Sequence, residues 1–352
     1  MISNLIKKSL LNFKPYTCAR DLYSEGIFFD ANENAFGSMV KIPYKDELNR
    51  YPDPYCILLK KNILKYLDLP FLKIENIFVG SGSDEIIRLL INLFVDFDEE
   101  IVVNVPTYGM YKVAADIAAV KVKEVELDEF FQLDLRAINK AITPKTKLIF
   151  CCSPNNPTGN LLDWNDICEL CEDFKGVVVL DEAYVEFSSR KSMAEMIERY
   201  PNLLILRTLS KAWGLAGLRL GYMMGNDEIV GFLNKIKLPY NVNSLSQSLA
   251  VRALNNKENL QGFIERISDE REWLKNELIQ LGFEVFPSEA NFLLIKVGLE
   301  NCVERIVQNL AKSEGLILRD FSANKRLKKC FRVTVGIPKQ NRLLIQSLTS
   351  LL

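Results

Sequence analysis

The segment "RTLSKAWGLAGLRLGY" (residues 207–222) places Lys211 between Ser210 and Ala212 in a mostly apolar run that reaches Arg219 after two glycines. Most lysines are solvated and do no chemistry, but three other stretches give this one company. "VVVLDEAYVEF" (177–187) sets Asp181 at the end of an apolar run, with Tyr184 three residues on. Such a carboxylate is either an ordinary N-cap or loop acid, or a buried group that needs a cationic partner. "CSPNNPTGN" (152–160) joins Pro154, Pro157 and Gly159 into a rigid turn that offers the amides of Asn155 and Asn156, and turns of this composition also occur without function. "VGSGSDEII" (79–87) reads as strand, glycine turn and helix start, an arrangement whose backbone N–H groups and dipole hold phosphate. It matches neither the dinucleotide fingerprint nor the P-loop.

The chain contains no histidine. Ser-His-Asp and Cys-His catalysis, imidazole metal sites and a histidine general base are thereby excluded, so proton transfer near neutral pH falls to lysine, tyrosine, a carboxylate or a cofactor. Together the four stretches meet the needs of pyridoxal 5′-phosphate: an anion site, a carboxylate for the ring nitrogen, donors for the phenolic oxygen, an aromatic face and a lysine for the Schiff base. Their joint occurrence separates Lys211 from a surface lysine.

Positioning these groups requires a scaffold. At 352 residues, 48% hydrophobic and 25% charged, the chain is long enough for about two domains sharing a sizeable core. Strand-like runs fall at 76–80, 100–105, 147–153, 176–184, 202–210 and 219–225. Helical patterns lie between most of them, including one that begins with Ser83 as a candidate N-cap and others near 108–119 and 162–173. The pattern predicts an α/β fold: a large domain with a mostly parallel central sheet flanked by helices, ligands at the carboxyl ends of its strands, and a smaller α+β domain. The expected division is an arm with part of the small domain at 1–42, a large cofactor-binding domain at 43–254 and a C-terminal small domain at 255–352.

The net charge of −1 gives no electrostatic footprint for nucleic acid or an anionic membrane, which leaves a small-molecule substrate. The N-terminus lacks the apolar core of a signal peptide, and no run approaches ~20 apolar residues, so a cytoplasmic location is expected. The eight cysteines include no second pair at zinc spacing, so they are expected to be reduced structural thiols, with no metal centre.

Further segments carry a resemblance: "PYTCAR" (15–20), "DANENAFG" (30–37), "RYPDP" (50–54), "PTYGMY" (106–111) and "FRVTVG" (331–336), beside the specific "SKAWGLAGLRLGY" and "DEAYVEF". Over nearly its full length the chain resembles fold-type I pyridoxal-phosphate aminotransferases, most closely the histidinol-phosphate aminotransferases. It departs at Ala35, where that family commonly has proline.

The resemblance implies that Lys211 is the Schiff-base lysine and proton shuttle, that Asp181 faces the ring nitrogen, and that Asn156 and Tyr184 bond the phenolic oxygen. It implies that Tyr108 stacks on the ring, while the amides of Ser83 and Asp84, the hydroxyl of Ser210 and Arg219 hold the phosphate. Tyr51 would reach the cofactor phosphate of a neighbouring subunit, making the protein a homodimer with shared active sites. Arg332, helped by Arg319 and Tyr16, would bind substrate anions, with Asn34 nearby. The implied reaction is ping-pong amino transfer between histidinol phosphate and 2-oxoglutarate, giving imidazole-acetol phosphate and glutamate. An aromatic or other amino-acid aminotransferase and a threonine-phosphate decarboxylase are the alternatives.

Overall fold

The computed structural model describes residues 23, 26–30, 32–36, 49, 51–298 and 302–351. Strand β1 (Ile27–Phe28) precedes the main sheet, which is built from β2 (Ile77–Gly80), β3 (Glu100–Val105), β4 (Lys121–Glu126), β5 (Thr146–Cys152), β6 (Val177–Asp181), β7 (Leu203–Thr208) and β8 (Gly221–Met224). Their order is β2-β8-β7-β6-β5-β3-β4, and β8 alone runs against its neighbours β2 and β7. The mostly parallel sheet expected from the sequence is therefore present. Its central strands read as near-continuous apolar runs because helices cover both faces. Alternate residues separate accordingly: Ile149, Val178, Leu180 and Ile205 enter one core, and Leu148, Phe150, Val179 and Leu204 enter the other.

The structure adds one strand to those expected. In β4, "KVKEVE", only Val125 is buried, because the strand lies at the edge of the sheet. Lysines on an exposed edge discourage pairing with other chains. Here Lys121 and Lys123 also reach the buried Glu100 on β3, at 3.4 and 2.7 Å. Thr143 and Thr146 donate to the same carboxylate, at 2.6 and 3.0 Å. Burial pushes Glu100 up, but these bonds outweigh it and hold the carboxyl at about 2.

The helix expected near residue 83 is Ser83–Phe94, but Ser83 is not its N-cap. Gly82 occupies that position with φ 79°, a left-handed conformation that a glycine adopts without strain. Its Cβ, if present, would lie 2.9 Å from Nη2 of Arg219. Ser83 and Asp84 thus fall in the first turn, where backbone N–H groups have no partner within the helix.

After helix Glu258–Gln280 come β9 (Glu284–Val285), β10 (Phe292–Lys296), β11 (Leu316–Ile317), β12 (Arg319–Asp320) and β13 (Cys330–Thr334). Four of these form the antiparallel sheet β12-β13-β10-β9, and β1 pairs in parallel with β11. Phe29 joins the core of this second unit beside Leu293, Phe331 and Leu344. Among the described residues, no helix is long and apolar enough to cross a membrane. All seven described cysteines are free thiols, and among the described residues no cluster of His, Cys, Asp and Glu could hold a metal ion.

Candidate active site

A cavity of about 210 Å3 opens where the carboxyl ends of β5, β6 and β7 meet the hairpin β12-β13, and both Lys211 and Asp181 lie on its wall. Asp181 is the last residue of β6, so the sheet itself aims it. Its Oδ2 accepts from the Tyr111 hydroxyl at 2.7 Å, and its Oδ1 from the Ala183 amide at 3.0 Å. Among the described residues no lysine or arginine forms an ion pair with it, so the cationic partner expected from the sequence is not supplied by such a contact. Burial pushes the carboxyl up to about 6, against the lowering effect of the two donors.

Lys211 follows β7 on a short loop. Its Nζ lies 5.7 Å from the centre of the Tyr184 ring. Burial, followed by the positive charge of Arg332, brings the amine down to about 8, while Glu33 and Asp84 oppose the shift. A buried ammonium sheds its proton more readily than a solvated one.

Tyr184 is buried, with its ring edge against Phe292. Its oxygen accepts from the side-chain amides of Asn32 and Asn156, at 3.0 and 3.3 Å. A phenol that accepts twice still has its own proton to donate. The carbonyl oxygen of Asn156 accepts from Arg332, whose guanidinium also donates to the Asp30 carbonyl. Arg332 lies 5.1 Å over the Phe292 ring. Arg319 is its direct cross-strand partner and also lines the cavity.

At the other end, Ser83, Asp84, Ser210 and Arg219 share the wall. The Asp84 carboxylate accepts from the Tyr108 hydroxyl at 3.0 Å and pairs with Arg219 at 3.3 Å. It thereby orients the aromatic ring and the arginine, leaving backbone N–H groups for an anion. Gly221 lets β8 pack close to this turn, since a Cβ there would lie 2.5 Å from the Ser83 nitrogen. Ser210 accepts from Thr208 at 2.9 Å.

Two expected residues lie elsewhere. The amide of Asn34 donates to the Ala212 carbonyl at 2.9 Å, so it holds the lysine loop, while Asn32 lines the cavity. Tyr51 is 82% exposed and stacks on Tyr240, away from the cavity of its own chain. Tyr16 lies outside the described residues. Sequence reasoning passed over Tyr111, Asp30, Asn32 and Cys152. The tyrosine repeat of "PTYGMY" was the available signal for the first of these.

The donors fit pyridoxal phosphate: N–H groups and a guanidinium at one end, and at the other a buried carboxylate suited to a protonated ring nitrogen. The chain belongs to the aminotransferase class I and II family, pyridoxal-phosphate-dependent enzymes whose family model matches residues 30–348. Within that family it is similar to histidinol-phosphate aminotransferases. The Parabacteroides distasonis protein is 40% identical, with 99% of each chain covered. The Cytophaga hutchinsonii protein is 41% identical, with 99% of this chain and 98% of that one covered. The crystal structure of histidinol-phosphate aminotransferase from Sinorhizobium meliloti in complex with pyridoxal-5′-phosphate superposes with a TM-score of 0.88 at 22% identity, covering 99% of this chain and 98% of that one. This likeness bears out the fold.

Proposed function

We propose that the protein transfers an amino group between histidinol phosphate and 2-oxoglutarate, yielding imidazole-acetol phosphate and glutamate in two ping-pong half-reactions of histidine biosynthesis. The observation that carries this reading is that the half-buried Lys211 and the buried Asp181 lie on the wall of one cavity that the arginine pair 319 and 332 also lines. The names of the 40% identical relatives support the choice of substrate.

Pyridoxal phosphate, when bound, supplies a carbonyl for the amino group and a ring that draws electron density from the substrate carbon. Lys211 would hold the group by that carbonyl, and its amine, once freed, would be the base that takes and returns the substrate carbon's proton. Asp181 holds a proton at the ring nitrogen. Asn156 and Tyr184 donate to the phenolic oxygen, and Tyr108 keeps the ring in register. The amides of Ser83 and Asp84, the Ser210 hydroxyl and Arg219 hold the phosphate. Arg332 with Arg319 grips the glutamate carboxylate in one half-reaction and the histidinol phosphate anion in the other, since a guanidinium fork fits both. Tyr16 completes the substrate side, and Asn34 acts from behind it by holding the lysine loop.

The working unit is a homodimer. The 82% exposed Tyr51 stacks on Tyr240, and Leu238, two residues before that tyrosine, is 73% exposed, apolar surface that a partner chain would cover. Tyr51 reaches the phosphate of the partner's cofactor. The large domain spans 43–254, and the arm (1–42) packs with the small domain (255–352), as the pairing of β1 with β11 supports.

The test is turnover. Purified protein with pyridoxal phosphate, histidinol phosphate and 2-oxoglutarate is expected to form glutamate. Threonine phosphate is expected to release no carbon dioxide, and aromatic amino acids to react more slowly. Carbon dioxide release without glutamate formation would make the protein a decarboxylase.

A further inference from the structure

Tyr111 has no part in the reaction described above, yet its hydroxyl makes the shortest bond that Asp181 receives. The residue is fully buried. Its ring stacks on Phe150, with centroids 4.9 Å apart, and meets the Tyr108 ring edge-on at 5.6 Å. Two aromatic neighbours therefore fix the direction of the hydroxyl, and helix Met110–Ala118 fixes its depth. Burial and the adjacent Asp181 charge push the phenol far above its ordinary value. It stays protonated across the neutral range, and in this contact it acts as donor. Of the two bonds on Asp181, only this one comes from a side chain.

We propose that Tyr111 is a positioning residue for the cofactor: its hydroxyl, 2.7 Å from Oδ2 of Asp181, keeps that carboxylate ionised and turned toward the ring nitrogen. The inference rests on the cofactor assignment above. In a chain without histidine, a phenol that cannot ionise is a fixed donor, so the charge on Asp181 is set without a second titrating group at that contact. The other ionisable groups facing Asp181 are Cys152 on β5, Asp84 on the phosphate-side helix, Lys211 after β7 and Tyr184 after β6. The Cys152 thiol is raised by burial and remains neutral. Asp84 raises Asp181, and Lys211 lowers it.

The consequence is measurable as cofactor affinity. Asp181 must be ionised to pair with a cationic ring, so affinity falls as pH drops through the carboxyl's midpoint near 6. Removing the donor destabilises the anion, which raises that midpoint. Cofactor-free wild type, Tyr111→Phe, Asp181→Asn and the double variant would be titrated with pyridoxal phosphate from pH 5 to 9, following absorbance and tryptophan quenching. Tyr111→Phe keeps the ring contacts. It is expected to lose affinity about one pH unit higher than wild type, which makes binding about tenfold weaker near pH 5 and about twofold weaker at pH 7. In the Asp181→Asn background the same substitution is expected to change affinity less than about twofold, because the two residues act as one unit. A fluorinated tyrosine at position 111, a stronger donor of nearly the same shape, is expected to move the falling limb downward, and this second variant serves if Tyr111→Phe does not fold.

A role in packing alone would leave the limb where it is. An unchanged limb in Tyr111→Phe, or an equal loss of affinity with and without the Asp181 carboxylate, overturns the inference while leaving the cofactor assignment standing. A wild-type protein that binds no cofactor overturns both.

Discussion

The lowered basicity of Lys211 offers the sharpest test of the role proposed for it. A lysine with the ordinary value of 10.5 is neutral in about 0.03% of molecules at pH 7, and one brought down to about 8 is neutral in about 9%, a gain of about 300-fold. Covalent capture of the cofactor's aldehyde needs the neutral amine. Cofactor-free protein mixed with low concentrations of pyridoxal phosphate in a stopped-flow instrument, from pH 6 to 10, should therefore give a capture rate that rises with a midpoint near 8. Dividing each rate by that of a solvated lysine derivative at the same pH, after correcting the latter for its own neutral fraction, removes the titration of the cofactor itself. The second-largest cause of the shift is the positive charge of Arg332, so Arg332→Ala should move the midpoint upward, and Lys211→Arg should abolish capture. A midpoint near 10 in the wild type, or one that moves downward on loss of the Arg332 charge, would refute the claim that burial and a neighbouring cation activate this amine.

Other perturbations have equally definite outcomes. Asp181→Asn should weaken pyridoxal phosphate binding about a hundredfold or more, measured by equilibrium titration, because it removes one partner of a buried charge pair. The cofactor-free variant should melt no lower than wild type at pH 8: the raised Asp181 value means that ionising this carboxyl above about pH 6 costs the fold stability, and asparagine removes that cost. Arg332→Lys keeps the charge but loses the fork; steady-state kinetics should show KM for the anionic substrates rising about ten- to a hundredfold, with kcat falling as well because Asn156 loses its fixed donor. Glu100→Gln should lower the melting temperature at pH 7 by a few degrees. Because the Glu100 value is depressed to about 2, its contribution is present above the usual carboxylate range and lost as pH falls toward 2, so scans below pH 4 should show wild type and variant converging.

Much of this architecture was legible in the sequence because doubly covered strands carry a plain signal. "GVVVLD" and "LLILRT" are apolar on both faces, and the candidate residues follow them at the strand ends where an α/β fold exposes ligands. The β4 edge was not legible: "KVKEVE" has one solvated face and lysines whose long-range partner, Glu100, cannot be seen from spacing. Ser83 misled for a local reason, since a serine before two acids resembles an N-cap, and only the positive φ at Gly82 shows that the helix starts one residue earlier, at Ser83 itself. Tyr111 escaped because its partner lies 70 residues away, and an aromatic one turn beyond Tyr108 reads as core. Asp30 and Asn32 belong to a segment without a core of its own, and they join the cavity only because the start of the chain pairs with β11.

The grip of Arg332 on both Asn156 and the Asp30 carbonyl ties three distant stretches of chain to one side chain. On the roles proposed above, the group that would read the incoming anion also steadies the amide that faces the cofactor's oxygen. Evolution or engineering could not retune substrate preference at that arginine without disturbing the reactive ring. The neighbouring strand offers a second route: position 319 lines the same cavity directly across from Arg332, and it is where variants with altered substrate range should be sought.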